Sequence, residues 1–252
     1  MKLFYRQFGT GTPLLILHGL FGMSDYWIPV AQILSKDFHL IVPDLRNHGR
    51  SPHCLKMDYE SMRADIIALL EELRLSKINL LGHSMGGKLA MSFALKYRER
   101  VERLIVVDVG IKAFDISDEV KNIITIAQNI DLNAFSSRNE LSKYISCPLR
   151  VKDMILKNIK QDRNRTLSWK PNIQAIVQNL PNVPIEITSE NTFQGKTLFL
   201  KGEYSDYTAD EDIPAIQETF PNSRVVIIPN AGHWLHVDNQ KGFLQCIMDF
   251  LC

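Results

Sequence analysis

Short runs of consecutive apolar residues recur along the first part of the chain, and each closes on a glycine, proline or aspartate. Leu14-Leu15-Ile16-Leu17 ends at His18-Gly19, Phe38 to Val42 at Pro43-Asp44, Ile78 to Leu81 at Gly82, and Leu104 to Val107 at Asp108. Runs this short, apolar at successive positions, predict buried strands of a parallel sheet. Between them the apolar positions change to helical spacing. Met62, Ile66, Leu69, Leu70 and Leu73 fall near one face of a helix over Tyr59–Leu73, and Gly87–Tyr97 predicts a second helix. Strand, helix and strand in this order imply right-handed crossovers with helices on both faces of the sheet.

The rhythm stops after Asp108. The next stretch carries helical patterns, at Ser117 to Asn129 and Val151 to Lys160, and few strand signals. Alternation returns with a strand at Thr197 to Leu200, a helix near Ile213 to Phe220, a strand at Arg224 to Ile228 and a final helix from His236 to Leu251. The pattern therefore predicts an α/β fold with a mostly parallel central sheet. Residues 1–108 and 193–252 form its core, and residues 109–192 form an inserted helical lid. Ligands of such sheets bind beyond the carboxyl ends of the strands, which is where an insertion between strands is placed to cover them.

Composition narrows the partners more than the fold. The 252 residues are 45% hydrophobic and 23% charged, with a formal net charge of +1. No run of five or more like charges occurs, so neither nucleic acid nor an anionic membrane is indicated as the main partner. Cys54, Cys147, Cys246 and Cys252 form no C-x-x-C pair and no disulfide framework, and they read as free thiols in a reducing compartment. The first residues lack the apolar core of a signal peptide, and no apolar run reaches the roughly 18–20 residues that span a bilayer. A cytoplasmic protein is the expectation. Oligomeric state leaves no trace in the sequence.

Chemistry concentrates at three places. Gly82-His83-Ser84-Met85-Gly86 lies between an apolar strand and a helix, the G-x-S-x-G arrangement in which a serine sits on a sharp turn with its hydroxyl exposed above the sheet. Glycines on either side let strand and helix approach closely, and the helix N-terminus favours developing negative charge. Ser84 is thus the candidate nucleophile. His18-Gly19-Leu20-Phe21-Gly22 ends another strand, and its turn can aim a backbone N–H at the same place. The N–H groups of Leu20 and Met85 are the candidate oxyanion hole. His18 itself reads as a structural histidine of that loop. The third place is Asn230-Ala231-Gly232-His233-Trp234, just past the last strand, from which His233 can reach Ser84 as general base.

His236 is expected on the first turn of the last helix, and His39, His48, His53 and His83 read as structural or surface residues. An acid to orient His233 has two candidates. Asp108 ends the fourth strand, and Asp206 lies in Lys201-Gly202-Glu203-Tyr204-Ser205-Asp206-Tyr207 after the strand at Thr197 to Leu200. Each also fits a plain role in a cap or turn.

Taken together these motifs resemble the α/β-hydrolase superfamily along nearly the full chain. Within it the sequence resembles the YbfF-type bacterial esterases. The residues that carry the likeness are His18-Gly19-Leu20-Phe21-Gly22, Asp44-Leu45-Arg46-Asn47-His48-Gly49-Arg50-Ser51, Gly82-His83-Ser84-Met85-Gly86-Gly87-Lys88 and Ala231-Gly232-His233-Trp234. The resemblance implies an eight-stranded sheet, a helical lid, no cofactor or metal, and hydrolysis of small carboxylic esters or thioesters, acyl-CoA included. It also implies that the acid is Asp108, with Asp206 as the alternative. A carbon–carbon bond hydrolase or a cofactor-free haloperoxidase keeps the same serine and scaffold, and a ligand receptor built on this fold retains an intact triad.

Overall fold

The computed structural model describes residues 1–252. In chain order the elements are β1 (Tyr5–Phe8), β2 (Thr12–Leu17), α1 (Ile28–Leu34), β3 (Phe38–Pro43), α2 (Tyr59–Glu72), β4 (Ile78–His83), α3 (Met85–Lys96) and β5 (Val101–Val107). They continue with α4 (Asp118–Asn129), α5 (Arg138–Tyr144), α6 (Leu149–Lys157), β6 (Ile159–Gln161), β7 (Leu167–Trp169) and α7 (Ile173–Asn179). The last are β8 (Lys196–Gly202), α8 (Ile213–Thr219), β9 (Ser223–Ile228), α9 (Leu235–Asp238) and α10 (Gln240–Leu251).

Seven strands form the central sheet in the order β1-β3-β2-β4-β5-β8-β9. All pairs are parallel except β1 with β3 at the edge. The six apolar runs read from the sequence are the six parallel strands. Their continuous hydrophobicity has a direct cause in the two-residue repeat of a strand. Leu15, Leu17, Leu80 and Leu104 face one core, shared with α2 and α3. Leu14, Ile16, Leu81 and Ile105 face the other, shared with Val30 and Leu34 of α1 and Phe243 and Ile247 of α10. Both faces are covered, so apolar residues dominate at successive positions, with buried Asn79 and Thr197 as polar exceptions.

Three expectations are corrected. The sheet has seven strands, not the eight implied by resemblance. The two remaining strands, β6 and β7, are three residues each and pair with each other, away from the sheet. The helix expected over Val151–Lys160 ends at Lys157. There the buried Asn158 amide bonds the carbonyls of Phe21 and Met154 at 2.8 and 3.0 Å, and Ile159 starts β6. His236 lies on α9, not on α10, because Asn239 adopts a non-helical backbone (φ −136°, ψ 69°) between them and caps α10 through Gly242 N–H. The pattern also does not predict β1, a short edge strand of partly exposed residues, or the seven-residue α1.

Four helices and the β6–β7 ribbon lie between β5 and β8. Ile123, Leu141, Val151, Ile155 and Ile176 from this stretch belong to the same buried cluster as Leu15 and Leu80 of the sheet. Polar ties reinforce the contact. Tyr59 donates to the Val183 carbonyl at 2.6 Å, and the buried Lys88 ammonium donates to the carbonyls of Ile111 and Lys112 at 2.8 and 2.6 Å. The four cysteines are unpaired thiols. No helix is long and apolar enough to cross a membrane.

Candidate active site

Ser84 stands alone between the end of β4 and the start of α3, at φ 55° and ψ −119°. A positive φ on a residue other than glycine costs on the order of 1–3 kcal/mol, and it persists where the surroundings over-determine it. Here two glycines do so. A Cβ on Gly82 would sit 2.1 Å from the Gly86 carbonyl oxygen, and one on Gly86 would sit 2.3 Å from that of Leu17. The turn is pinned by Ser84 N–H to Val107 and Lys88 N–H to the Ser84 carbonyl, both at 3.0 Å. The side chain of Ser84 is left partly exposed on the wall of a cavity lined also by Gly19, Leu20, His83, Phe114, Ile123, Tyr207, His233 and Trp234.

The Met85 N–H opens α3, where the first amides have no intrahelical acceptor. The Leu20 N–H lies in the turn that Gly22 N–H closes onto the Gly19 carbonyl at 2.9 Å. Neither the Leu20 nor the Met85 amide donates to a carbonyl of the chain. His18 fixes this loop. Its Nδ1 donates to the Gly19 carbonyl at 2.8 Å and its Nε2 accepts from Leu45 N–H at 2.9 Å. Both contacts fit the neutral ring, and burial pulls its pKa down to about 4.

His233 reaches the cavity from the loop after β9, and Asp108 reaches it from the end of β5. Asp108 Oδ2 lies 2.7 Å from His233 Nδ1. The carboxylate is buried, and its charge is met by further donors: Gly202 N–H at 2.8 Å on Oδ1 and the Ser205 hydroxyl on Oδ2. With Nδ1 engaged, Nε2 is the ring nitrogen available toward the cavity. The structure has no hydrogen bond between the Ser84 hydroxyl and the ring. Such bonds often tighten only with substrate bound.

Of the two acid candidates, the fold brings Asp108 to His233 and leaves Asp206 exposed. The loop that carries Asp206 instead contributes its neighbours. Ser205 bonds Asp108, and the Tyr207 ring stacks on that of His233 with centroids 4.2 Å apart at 26°. Burial raises the Tyr207 phenol above its ordinary pKa. Sequence reasoning missed Ser205 and Tyr207, whose only signal is a loop after a strand. It also missed that His83 Nε2 lies 2.8 Å from the His233 carbonyl oxygen, and that Asp238 Oδ2 accepts Gly232 N–H at 2.9 Å.

The stretch Asp44 to Ser51 supports the site without facing it. Asp44 is fully buried, accepts Ser24 N–H at 2.6 Å and Arg50 N–H at 2.7 Å, and so ties the loop after β3 to the loop after β2. Arg46 pairs with Asp65 of α2 at 2.7 Å. No group of histidine, cysteine and carboxylate side chains has metal-binding geometry.

Comparison with known proteins bears on the fold and the family. A family model for the alpha/beta hydrolase fold matches residues 12–134. An sn-1-specific diacylglycerol lipase, ABHD11 of Danio rerio, is 33% identical over 96% of this chain and 79% of its own length. Esterase YbfF of Escherichia coli strain K12 is 26% identical over 95% of this chain and 93% of its own. Among solved structures, a marine microorganism esterase superposes with a TM-score of 0.93 at 42% identity, covering 99% of both chains.

Proposed function

The chain belongs to the alpha/beta hydrolase fold family, and from that premise we propose that it is a serine hydrolase that cleaves carboxylic esters or thioesters, acyl-CoA within that class, through Ser84, His233 and Asp108. In this mechanism His233 Nε2 takes the Ser84 proton as the oxygen attacks the acyl carbonyl. The carbonyl oxygen, now negative, is held by the Leu20 and Met85 amides, and one such donor is worth about 3–4 kcal/mol in the transition state. The bond to the leaving oxygen or sulfur then breaks, and His233 returns the proton to it. Water repeats the sequence on the acyl-enzyme, freeing the acid and restoring Ser84. Asp108 keeps Nδ1 protonated, so that Nε2 faces the serine, and offsets the charge of the imidazolium. Residues 109–192 act as a lid. Phe114, Ile116, Val120 and Ile123 from this stretch line the cavity and exclude water around the reacting carbonyl.

The observation that carries the reading is the 2.7 Å contact of Asp108 with a histidine that shares one cavity with a serine held at positive φ. The esterase and lipase names of the relatives point the same way. The test is labelling by a fluorophosphonate together with turnover of p-nitrophenyl esters. Wild type is expected to be labelled at Ser84 and to hydrolyse short esters. Ser84→Ala is expected to fold normally and lose both. Undiminished turnover by Ser84→Ala overturns the assignment.

A further inference from the structure

Next to the cavity over Ser84 lies a second, open groove of about 380 Å³ whose apolar lining is Tyr26, Leu149, Met154, Trp234 and Val237, with the charged Arg150, Asp153 and Lys157 beside them. Met154 and Trp234 line both. The groove is mostly apolar at a place where the fold does not require it. Leu149 is 74% exposed and Val237 61% exposed, and they stand on the first turns of α6 and α9. Its walls are fixed relative to His233. Arg150 of α6 pairs with Asp238 of α9 at 2.5 Å, and the same carboxylate holds the Gly232 N–H. The Tyr26 hydroxyl donates to the Met154 carbonyl at 3.4 Å, and the Lys157 ammonium lies 4.7 Å from the Tyr26 ring centre.

We propose that this groove binds the apolar chain of the leaving alcohol or thiol, while the cavity over Ser84 takes a short acyl group. The proposal rests on the serine hydrolase reading. Under that reading the leaving atom receives its proton from His233, and the residue that follows His233 in the chain lines both the cavity and the groove. That residue is Trp234, and the groove is what lies beyond it. The cavity over Ser84, lined by Phe114, Ile123 and Val183, is the narrower of the two spaces, with about 30 Å³ free against about 380 Å³ in the groove, so the longer arm of the substrate is assigned to the groove. Met154 also lines both spaces. Its unbranched side chain can move aside without disturbing α6. The substrate thus lies across Met154, with its ester bond at Ser84 and its longer arm in the groove.

Two ester series test this. In one the acyl group is fixed as acetyl and the alcohol runs from ethyl to octyl. In the other the alcohol is fixed as methyl and the acyl group runs from acetyl to octanoyl. For wild type, kcat/KM is expected to rise at least tenfold from ethyl to hexyl acetate, and to fall along the acyl series beyond butanoyl. In Leu149→Asp and Val237→Asp, both changes at exposed positions, the hexyl-to-ethyl ratio is expected to drop at least fivefold while the shape of the acyl series stays. Ser84→Ala serves as the blank, so ester turnover that depends on Ser84 is established separately. Given such turnover, a flat alcohol series in wild type overturns the groove assignment alone. The same holds if the two variants flatten the acyl series instead, or if they leave both ratios intact and change only the sedimentation of the protein, which makes a second copy the occupant. Absence of turnover on every ester overturns both readings.

Discussion

His83 Nε2 lies 2.8 Å from the backbone carbonyl oxygen of His233, so the residue before the candidate nucleophile holds the main chain of the candidate base. A carbonyl accepts only, which places the proton on His83 Nε2. The ring is fully buried, and desolvation, followed by the nearby His233 and His236, holds its pKa well below that of an ordinary histidine. It is therefore a neutral donor, 4.7 Å from the His233 ring by centroids.

Replacing His83 by phenylalanine keeps an aromatic ring and removes the donor. An unpaired buried carbonyl costs about 1–3 kcal/mol. In the proposed mechanism part of that cost appears as misplacement of His233. Steady-state ester kinetics on His83→Phe are expected to show kcat lowered roughly tenfold with KM little changed. His83→Gln, whose amide can donate, is expected to recover part of the loss. Equal kcat in wild type and both variants, with only thermal stability altered, removes the positioning role.

The two aspartates separate cleanly in function if geometry governs. Asp108 receives three donors, and one of them is His233. Asp206 is exposed and bonds nothing in the site. Asp108→Asn is expected to lower kcat by about 10³–10⁴, the scale seen when a triad acid loses its charge and the histidine its correct tautomer. Asp206→Asn is expected to stay within about twofold. Comparable losses in both variants, measured on one short ester, contradict the assignment.

The contrast also marks how far the sequence could be read. The strand, elbow and helix at Ile78 to Lys96 were legible because their signals are local: an apolar run, two glycines flanking a serine, and helical spacing. The choice between Asp108 and Asp206 was not, because both follow parallel strands at the same end of the sheet. What distinguishes them is tertiary. β5 and β8 are neighbours, so Gly202 and Ser205 at the end of β8 reach Asp108 and hold it under His233. His83 read as structural or surface for the same reason. Its partner is 150 residues away. The β6–β7 ribbon escaped because three-residue strands carry no pattern to detect.

The close approach at the elbow predicts a stability cost for a single methyl group. On Gly82 it would meet the Gly86 carbonyl oxygen at 2.1 Å and the Ala90 Cβ at 2.8 Å, in a place where both β4 and α3 are buried. Overpacking of this kind costs about 1–3 kcal/mol or more. For a chain of this size that lowers Tm by roughly 2–12 °C. Gly82→Ala is expected to show at least that drop by calorimetry, with ester turnover reduced further because Ser84 moves. An unchanged Tm means that the elbow relaxes more freely than its contacts allow.

Acid should unfold this protein through its histidines. His18, His48, His83 and His236 are all buried, and desolvation depresses each, His18 to about 4 and His48 and His236 to about 3. An unfolded histidine titrates near 6.5. Between that value and the folded one the unfolded chain binds the extra proton, so stability is complete above about pH 6.5 and is lost as pH falls toward 4 and 3. Four such groups give a slope of up to about 5 kcal/mol per pH unit once all are protonated in the unfolded state. Thermal melts at pH 7, 6 and 5 are expected to show Tm falling with increasing steepness. His236 offers the cleanest dissection. Its ring stacks on Trp27 at 4.4 Å and 12°, and neither ring nitrogen meets a partner in the chain. His236→Phe preserves the stacking and removes the titration. Its Tm at pH 7 is expected to equal or exceed that of wild type, and its loss between pH 7 and pH 5 to be smaller. A pH dependence as steep as that of wild type would mean that His236 is not among the groups that drive acid unfolding.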